Sequence, residues 1–209
     1  MKSIVVIAAL GAATGLSAAQ IINGGFEDPG TGFHSVPVGA SYGGWTNAGP
    51  GNIEFVEAVA NGNLPHLEDS AYEGRYWIDL VGTQSPSAIY QDVAGLEAGQ
   101  RYRIDWAQSG NVWGSVFAFT MEVVWNGQVV ASYTQSHGGN DGRFMNWQEH
   151  SVEVIANSTS GSNRLMFRAV SGGSARGPAL DAVNLTLVPA PVAAATLLMG
   201  GVVLGRRRR

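Results

Sequence analysis

Apolar residues fall at every second position in run after run of this chain, and glycine- or asparagine-rich breaks separate the runs. A period of two sends alternate side chains to opposite faces of an extended strand, whereas a helix needs apolar positions three and four apart. In residues 101–106, Tyr102, Ile104 and Trp106 share one face and the charged residues take the other. Val152, Val154 and Ala156 alternate in the same way, and 164–170 and 182–187 are two further runs. Between Phe117 and Thr134, Asn126-Gly127 separates two apolar stretches. That pair suits a type I′ hairpin turn, in which both central residues take positive φ. Residues 95–100 (GLEAGQ) form a turn that feeds the 101–106 run. Roughly eight to ten such strands, with no helical periodicity and no internal repeat, predict an all-β fold. An antiparallel jelly-roll β-sandwich is expected ahead of a closed barrel or a propeller.

The two ends do not belong to that pattern. Lys2 precedes an apolar run at 4–16, and the small residues Ser17, Ala18 and Ala19 stand at its exit. That order is a secretory signal peptide over 1–19, cleaved after Ala19 by signal peptidase. The far end is apolar or small from Val192 to Leu204 and closes on Arg206, Arg207, Arg208 and Arg209. As a helix it spans about 20 Å, against about 30 Å for the hydrocarbon core. Charge is costly in hydrocarbon, so the arginines stay on the cytoplasmic side while the body is exported. The segment is a stop-transfer helix that holds the chain transiently in the inner membrane. Val188, Pro189, Ala190 and Pro191 precede it. Motif, short transmembrane helix and arginine cluster over 188–209 together resemble the VPxP variant of the PEP-CTERM sorting signal, although the motif reads Pro-Ala-Pro and not Pro-Glu-Pro. The resemblance implies processing by an exosortase-type membrane enzyme and a mature protein at the cell surface or in the extracellular matrix.

Residues 20–187 remain as one domain. Lys2 and the terminal arginines are five of the 12 basic residues, so the body sets seven bases against 16 acids, a net of −9. This argues against a nucleic-acid partner, whose affinity rests on neutralising phosphates. It suits divalent cations and neutral glycans. The chain has no cysteine, so an exported domain must be held by its core, with or without a metal.

Five blocks carry a wider resemblance: Asn23-Gly24-Gly25-Phe26-Glu27 with Gly44-Trp45, then GRYWIDL at 74–80, IYQDV at 89–93, Gly99-Gln100-Arg101-Tyr102, and GPALDAV at 177–183. In that order they resemble bacterial choice-of-anchor C proteins. More distantly, they are similar to a plant cell-wall domain of unknown function and to carbohydrate-binding modules with a galactose-binding-like jelly roll. The resemblance implies a structural calcium ion tying the N-terminal loop to the last strand, with Glu27, Asp28 and Asp181 supplying carboxylates. Capping turns and bonding backbone amides is the plainer role for the same side chains.

Six tryptophans and six tyrosines are many for a body of this size. A flat apolar sugar face can stack on an exposed ring while polar neighbours bond its hydroxyls. In 76–80, Tyr76, Ile78 and Leu80 share one strand face, which leaves Trp77 and Asp79 on the other. Trp113 sits in a Gly/Ser/Asn-rich loop (SGNVWGS). Trp77 and Trp113 are the expected stacking residues, with Asp79, Tyr90, Gln91, Arg103 and Asn111 as polar support. Trp45, Trp106, Trp125 and Trp147 are expected in the core.

No catalytic arrangement stands out. The four histidines are scattered without HExxH spacing, GGSAR at 172–176 departs from GxSxG, and there is no thiol. The expectation is a non-enzymatic exported protein that binds extracellular polysaccharide. The alternatives are an adhesive surface protein with a protein partner and, below that, a glycan-cleaving enzyme, which would need two carboxylates about 5–9.5 Å apart.

Overall fold

The computed structural model describes residues 21–27, 33–58, 70–83, 85–112, 118–136, 144–157, 163–173 and 176–189. The signal peptide, Asp28, Trp113, and Pro191 with the apolar tail and its arginines lie outside the described residues.

Among the described residues there are twelve strands and no helix. In chain order they are β1 (His34–Val36), β2 (Ser41–Tyr42), β3 (Trp45–Asn47), β4 (Ile53–Glu57), β5 (Tyr76–Asp79), β6 (Ala88–Val93), β7 (Arg101–Gly110), β8 (Ala118–Trp125), β9 (Gln128–Ser136), β10 (Gln148–Ile155), β11 (Asn163–Ala169) and β12 (Pro178–Leu187). They form two six-stranded sheets, ordered β1-β4-β5-β12-β7-β10 and β2-β3-β6-β11-β8-β9. Every pairing is antiparallel. Most connections pass from one sheet to the other; only β2–β3, β4–β5 and β8–β9 stay within one.

The alternation that marks the strands also builds the core. Tyr102, Ile104 and Trp106 of β7 point inward to meet Met121 and Val123 of β8 and Leu165 and Phe167 of β11. Trp45, Trp106 and Trp125 are buried as expected, while Trp147 is only partly so. The β8–β9 hairpin turns on Asn126 at φ 50° and Gly127 at φ 84°, the expected type I′ signs. Strands β1, β2 and β3 escape the sequence pattern. At two or three residues each they are too short for a period of two to register.

Strand β12 is irregular at its centre. Asp181 faces Ala107 across β12–β7, but the next matched pair is Asn184 with Asp105, so β12 carries one extra residue there. This bulge puts Ala182 at φ 51°, a left-handed conformation that costs a residue with a Cβ about 1–2 kcal/mol. Two bonds offset the cost. Ala182 N donates to Asp181 Oδ1 at 2.6 Å, and Val183 N donates to Gly24 O at 2.9 Å. The second bond explains the first glycine of the pair in the N-terminal block. A Cβ on Gly24 would stand 1.9 Å from the Val183 carbonyl oxygen, which is backbone and cannot step aside. A Cβ on Gly25 would meet only the flexible end of Glu73, at 2.8 Å.

Gly24→Ala should therefore cost about 3 kcal/mol or more, and Gly25→Ala less than about 1 kcal/mol. Urea unfolding of the two variants measures the difference, and equal losses would contradict the assigned contact.

Candidate functional site

A groove of about 610 Å³ opens on the outer face of the first sheet, where β12, β7 and β10 lie side by side. Its floor follows from the alternation of β7. Tyr102, Ile104 and Trp106 turn inward, so Arg103, Asp105 and Ala107 turn outward. Glu149 of β10, opposite Ala107, and Asn184 of β12, opposite Asp105, extend this face. Gly24, Gly25, Tyr72 and Glu73 form the facing wall.

That wall hangs on two carboxylates. Asp181 is fully buried, and its Oδ2 accepts the backbone amides of Tyr72 at 2.8 Å and Glu73 at 3.1 Å. Glu27 Oε1 accepts the amides of Arg75 at 2.8 Å and Tyr76 at 3.0 Å. The segment 72–76 is thus tied to the last strand on one side and to the N-terminal loop on the other. Between the two ties the chain turns through Gly74, at φ 61°. Tyr72 stands at the rim, 41% exposed. Its hydroxyl donates to Glu149, and its ring meets Trp147 edge-on at 6.2 Å between centroids. Trp147 is itself held by an indole N–H bond to Ser70 O at 2.8 Å.

The groove is acidic. Arg103 Nε lies 2.9 Å from Asp105, so that cation is already matched. Among the described residues no ion pair reaches Glu73 or Glu149. Burial holds His150 below the usual histidine range, so it is neutral at pH 7.

The expected ligand residues are dispersed. Arg103 lies in the groove. Trp77 does face outward from β5, but it is fully buried and is not available for stacking. It packs with Val56 and Ala179 beneath Ala58, Ala71, Met145 and Trp147, which roof that end of the sheet. Asp79 and Asn111 are buried and bond each other, Asn111 Nδ2 to Asp79 Oδ2 at 2.6 Å. Tyr90 is on the outer face of the other sheet. The Arg164 guanidinium lies 3.8 Å over its ring and is itself held by Asp92 through two 2.7 Å bonds, so that ring face is occupied. Gln91 points inward and ties the N-terminal loop, accepting from Ile22 N at 2.7 Å and donating to Ile22 O at 2.9 Å and Gly44 O at 3.0 Å. For Trp77, Asp79, Asn111 and Gln91 burial corrects the expected exposure to ligand, while Tyr90 is partly exposed and lies on the sheet away from the groove. Tyr72, Glu73, Glu149 and Trp147 shape the groove, and no pattern in the sequence assigns them to it.

Of the residues expected at a calcium site, Glu27 and Asp181 do bridge the N-terminal loop and the last strand, but by holding amides. Two amides fill both lone pairs of Asp181 Oδ2. Among the described residues no three His, Cys, Asp or Glu side chains converge as ligands. The oxygens left free on the pair are Glu27 Oε2 and one lone pair of Asp181 Oδ1.

No protein-family model matches the sequence, and no curated protein matches it. Solved structures do resemble the fold. A cyclase from Fischerella sp. TAU superposes with a TM-score of 0.54 at 18% identity, covering 83% of this chain and 98% of that one. The apo form of a cyclase from Fischerella sp. gives 0.54 at 19% identity, covering 83% and 97%. A family 61 carbohydrate-binding module in complex with β-1,4-galactotriose gives 0.47 at 16% identity, covering 82% and 100%. The likeness to the cyclases, at such low identity, extends to the fold alone.

Burial pushes the Asp79 carboxyl up to about 8, against 3.8 ordinarily, although Val81 N and Asn111 both bond it. Glu54, across β4–β5 from it, adds to the rise. Burial likewise pushes Asp181 up to about 7. Between the ordinary value and these raised ones the folded chain binds more protons than the unfolded chain, so stability falls as pH rises. The melting temperature should decline from about pH 5 to about pH 8.5, and Asp79→Asn should flatten the decline. Calorimetry across that range tests it; an unchanged slope in the variant would exclude Asp79 as the titrating group.

Proposed function

We propose that the body is a polysaccharide-binding module of galactose-binding-like jelly-roll type, and that a glycan chain lies in the groove beside Tyr72. One observation carries this reading: an exposed aromatic ring held rigidly over a polar floor. Asp181 fixes the Tyr72 backbone, Glu149 fixes its hydroxyl and Trp147 braces its ring. A ring positioned in advance stacks on a sugar face without a large ordering cost, and Arg103, Asp105 and Asn184 beneath it can exchange hydrogen bonds with hydroxyls. The absence of a recognisable catalytic motif in the sequence supports binding without cleavage. The two ends of the sequence support export, exosortase-type processing of the tail, and a mature form at the cell surface or in the matrix. Many copies on one surface would compensate for weak binding at each. A calcium ion drawing on the free oxygens of Glu27 and Asp181 belongs to the same proposal. Chelator should then lower the melting temperature and added calcium restore it; an unchanged temperature overturns that part.

Affinity electrophoresis of the full chain against a polysaccharide panel tests the main reading. Tyr72→Ala should weaken binding about tenfold, about 1.4 kcal/mol. Trp77→Ala should instead lower stability by about 3–5 kcal/mol, because it empties a buried site. Failure to bind any polysaccharide, or binding indifferent to Tyr72→Ala, would overturn the groove as a glycan site.

A further inference from the structure

We infer that the groove selects glycans carrying free amino groups over neutral ones and rejects those carrying carboxylates. The inference rests on the groove being a glycan site and names the substrate class which that reading leaves open.

Two independent features coincide in the groove. The first is the cavity with its exposed Tyr72 ring, which makes a place for a sugar. The second is negative charge on the floor and on the wall of that place. Glu149 projects from β10 on the floor, where it bonds the Tyr72 hydroxyl, and Glu73 belongs to the wall that carries Tyr72, with Oε1 2.8 Å from where a Gly25 Cβ would stand. Arg103, a cation on the floor, is committed to Asp105 at 2.9 Å. The Tyr72 hydroxyl satisfies one oxygen of Glu149 but brings it no charge. His150 adds none at neutral pH, since burial disfavours its charged form. Among the described residues, the lining Glu73, Asp105 and Glu149 against Arg103 leave two negative charges unmatched.

A ligand in the groove meets carboxylates from the floor and from the wall. A uronate there would bring like charge into a concave site, where the low-dielectric walls strengthen the repulsion. A neutral hexose loses nothing by the charge and gains nothing. A protonated 2-amino sugar gains a charge-assisted hydrogen bond to Glu149 or Glu73, shorter and stronger than a neutral one. It also brings a cation near the Tyr72 ring, whose face attracts positive charge.

The test is titration calorimetry of the full chain at about pH 7, where glutamates are ionised and a sugar amine, like an α-amino group, is largely protonated. The ligands are glucosamine and galactosamine oligomers, their N-acetylated forms, neutral hexose oligomers of equal length, a polyuronate, and poly-lysine. At about 20 mM salt a free-amine oligomer should bind about tenfold tighter than its N-acetylated form. The ratio should shrink towards one at about 0.5 M salt, where charges are screened within a few ångströms. The polyuronate should not bind. The double variant Glu73→Gln with Glu149→Gln should bring the amine-bearing and N-acetylated oligomers to one affinity. Neutral oligomers that bind in a Tyr72-dependent way, with no amine preference or with a preference insensitive to salt, would overturn this inference and leave the groove reading standing. No glycan binding at all would overturn both. Poly-lysine that binds as tightly as the amino sugars and ignores Tyr72→Ala would place the partner among basic proteins and overturn the glycan class.

Discussion

The carboxylate of Asp181 is the point on which the molecule's outer architecture depends. It sits in the middle of β12, fully buried, and accepts amides from a segment more than a hundred residues earlier in the chain. A buried carboxylate is expensive unless its lone pairs are filled, and here backbone N–H groups fill them. The same residue makes the bulge of β12 possible, since its other oxygen holds Ala182 in a left-handed conformation. The bulge in turn brings the Val183 amide to Gly24 and so docks the N-terminal loop. Glu27, at the end of that loop, then takes the other half of the same segment. Strand irregularity, glycine pair and loop position form one connected arrangement.

The first sheet is treated differently along its length. At the β4–β5 end its outer face is apolar at Val56, Trp77 and Ala179 and is roofed by Ala71, Met145 and Trp147. Towards β10 the outward residues are charged or small, and the face stays open as the groove. Trp147 and Tyr72 lie at the boundary and serve both regions. Trp147 closes the roof and braces the tyrosine, and Tyr72 forms the rim. The open region owes its shape to the closed one.

The inner faces were legible in the sequence because the period-two rule is local. Tyr102, Ile104 and Trp106 could be assigned to a core, and Asn126-Gly127 to a hairpin, from their immediate neighbours alone. What covers an outward residue is decided by chain segments far away, and there local reasoning failed. Alternation placed Trp77 on the outer face of its strand correctly, but nothing near it in sequence reveals that Met145 and Trp147 fold over it. Tyr90 was expected as polar support beside Trp77, and an arginine from β11 covers one face of its ring. Tyr72 has no pattern of its own in AYEGRYW. Its exposure follows from amides bonded to Asp181, a partner that only the fold brings near. The family resemblance implied that Glu27 and Asp181 tie the two ends of the domain, and bonding backbone amides was the plainer role for the same side chains. Which amides they hold is a matter of ångström geometry beyond the reach of spacing.

The segment 72–76 is bonded to residues on both sides of it that join the fold at very different times. Its contact with Glu27 closes a loop of about fifty residues, and its contact with Asp181 one of more than a hundred. Long loops are closed only after their entropy has been met by other contacts. A chain emerging from its N-terminus can pair strands as far as β11 and still lack the carboxylate that holds the Tyr72 backbone. The groove is consequently a mark of completion: β12 forms part of its floor, so it exists only on a molecule whose last strand has been added.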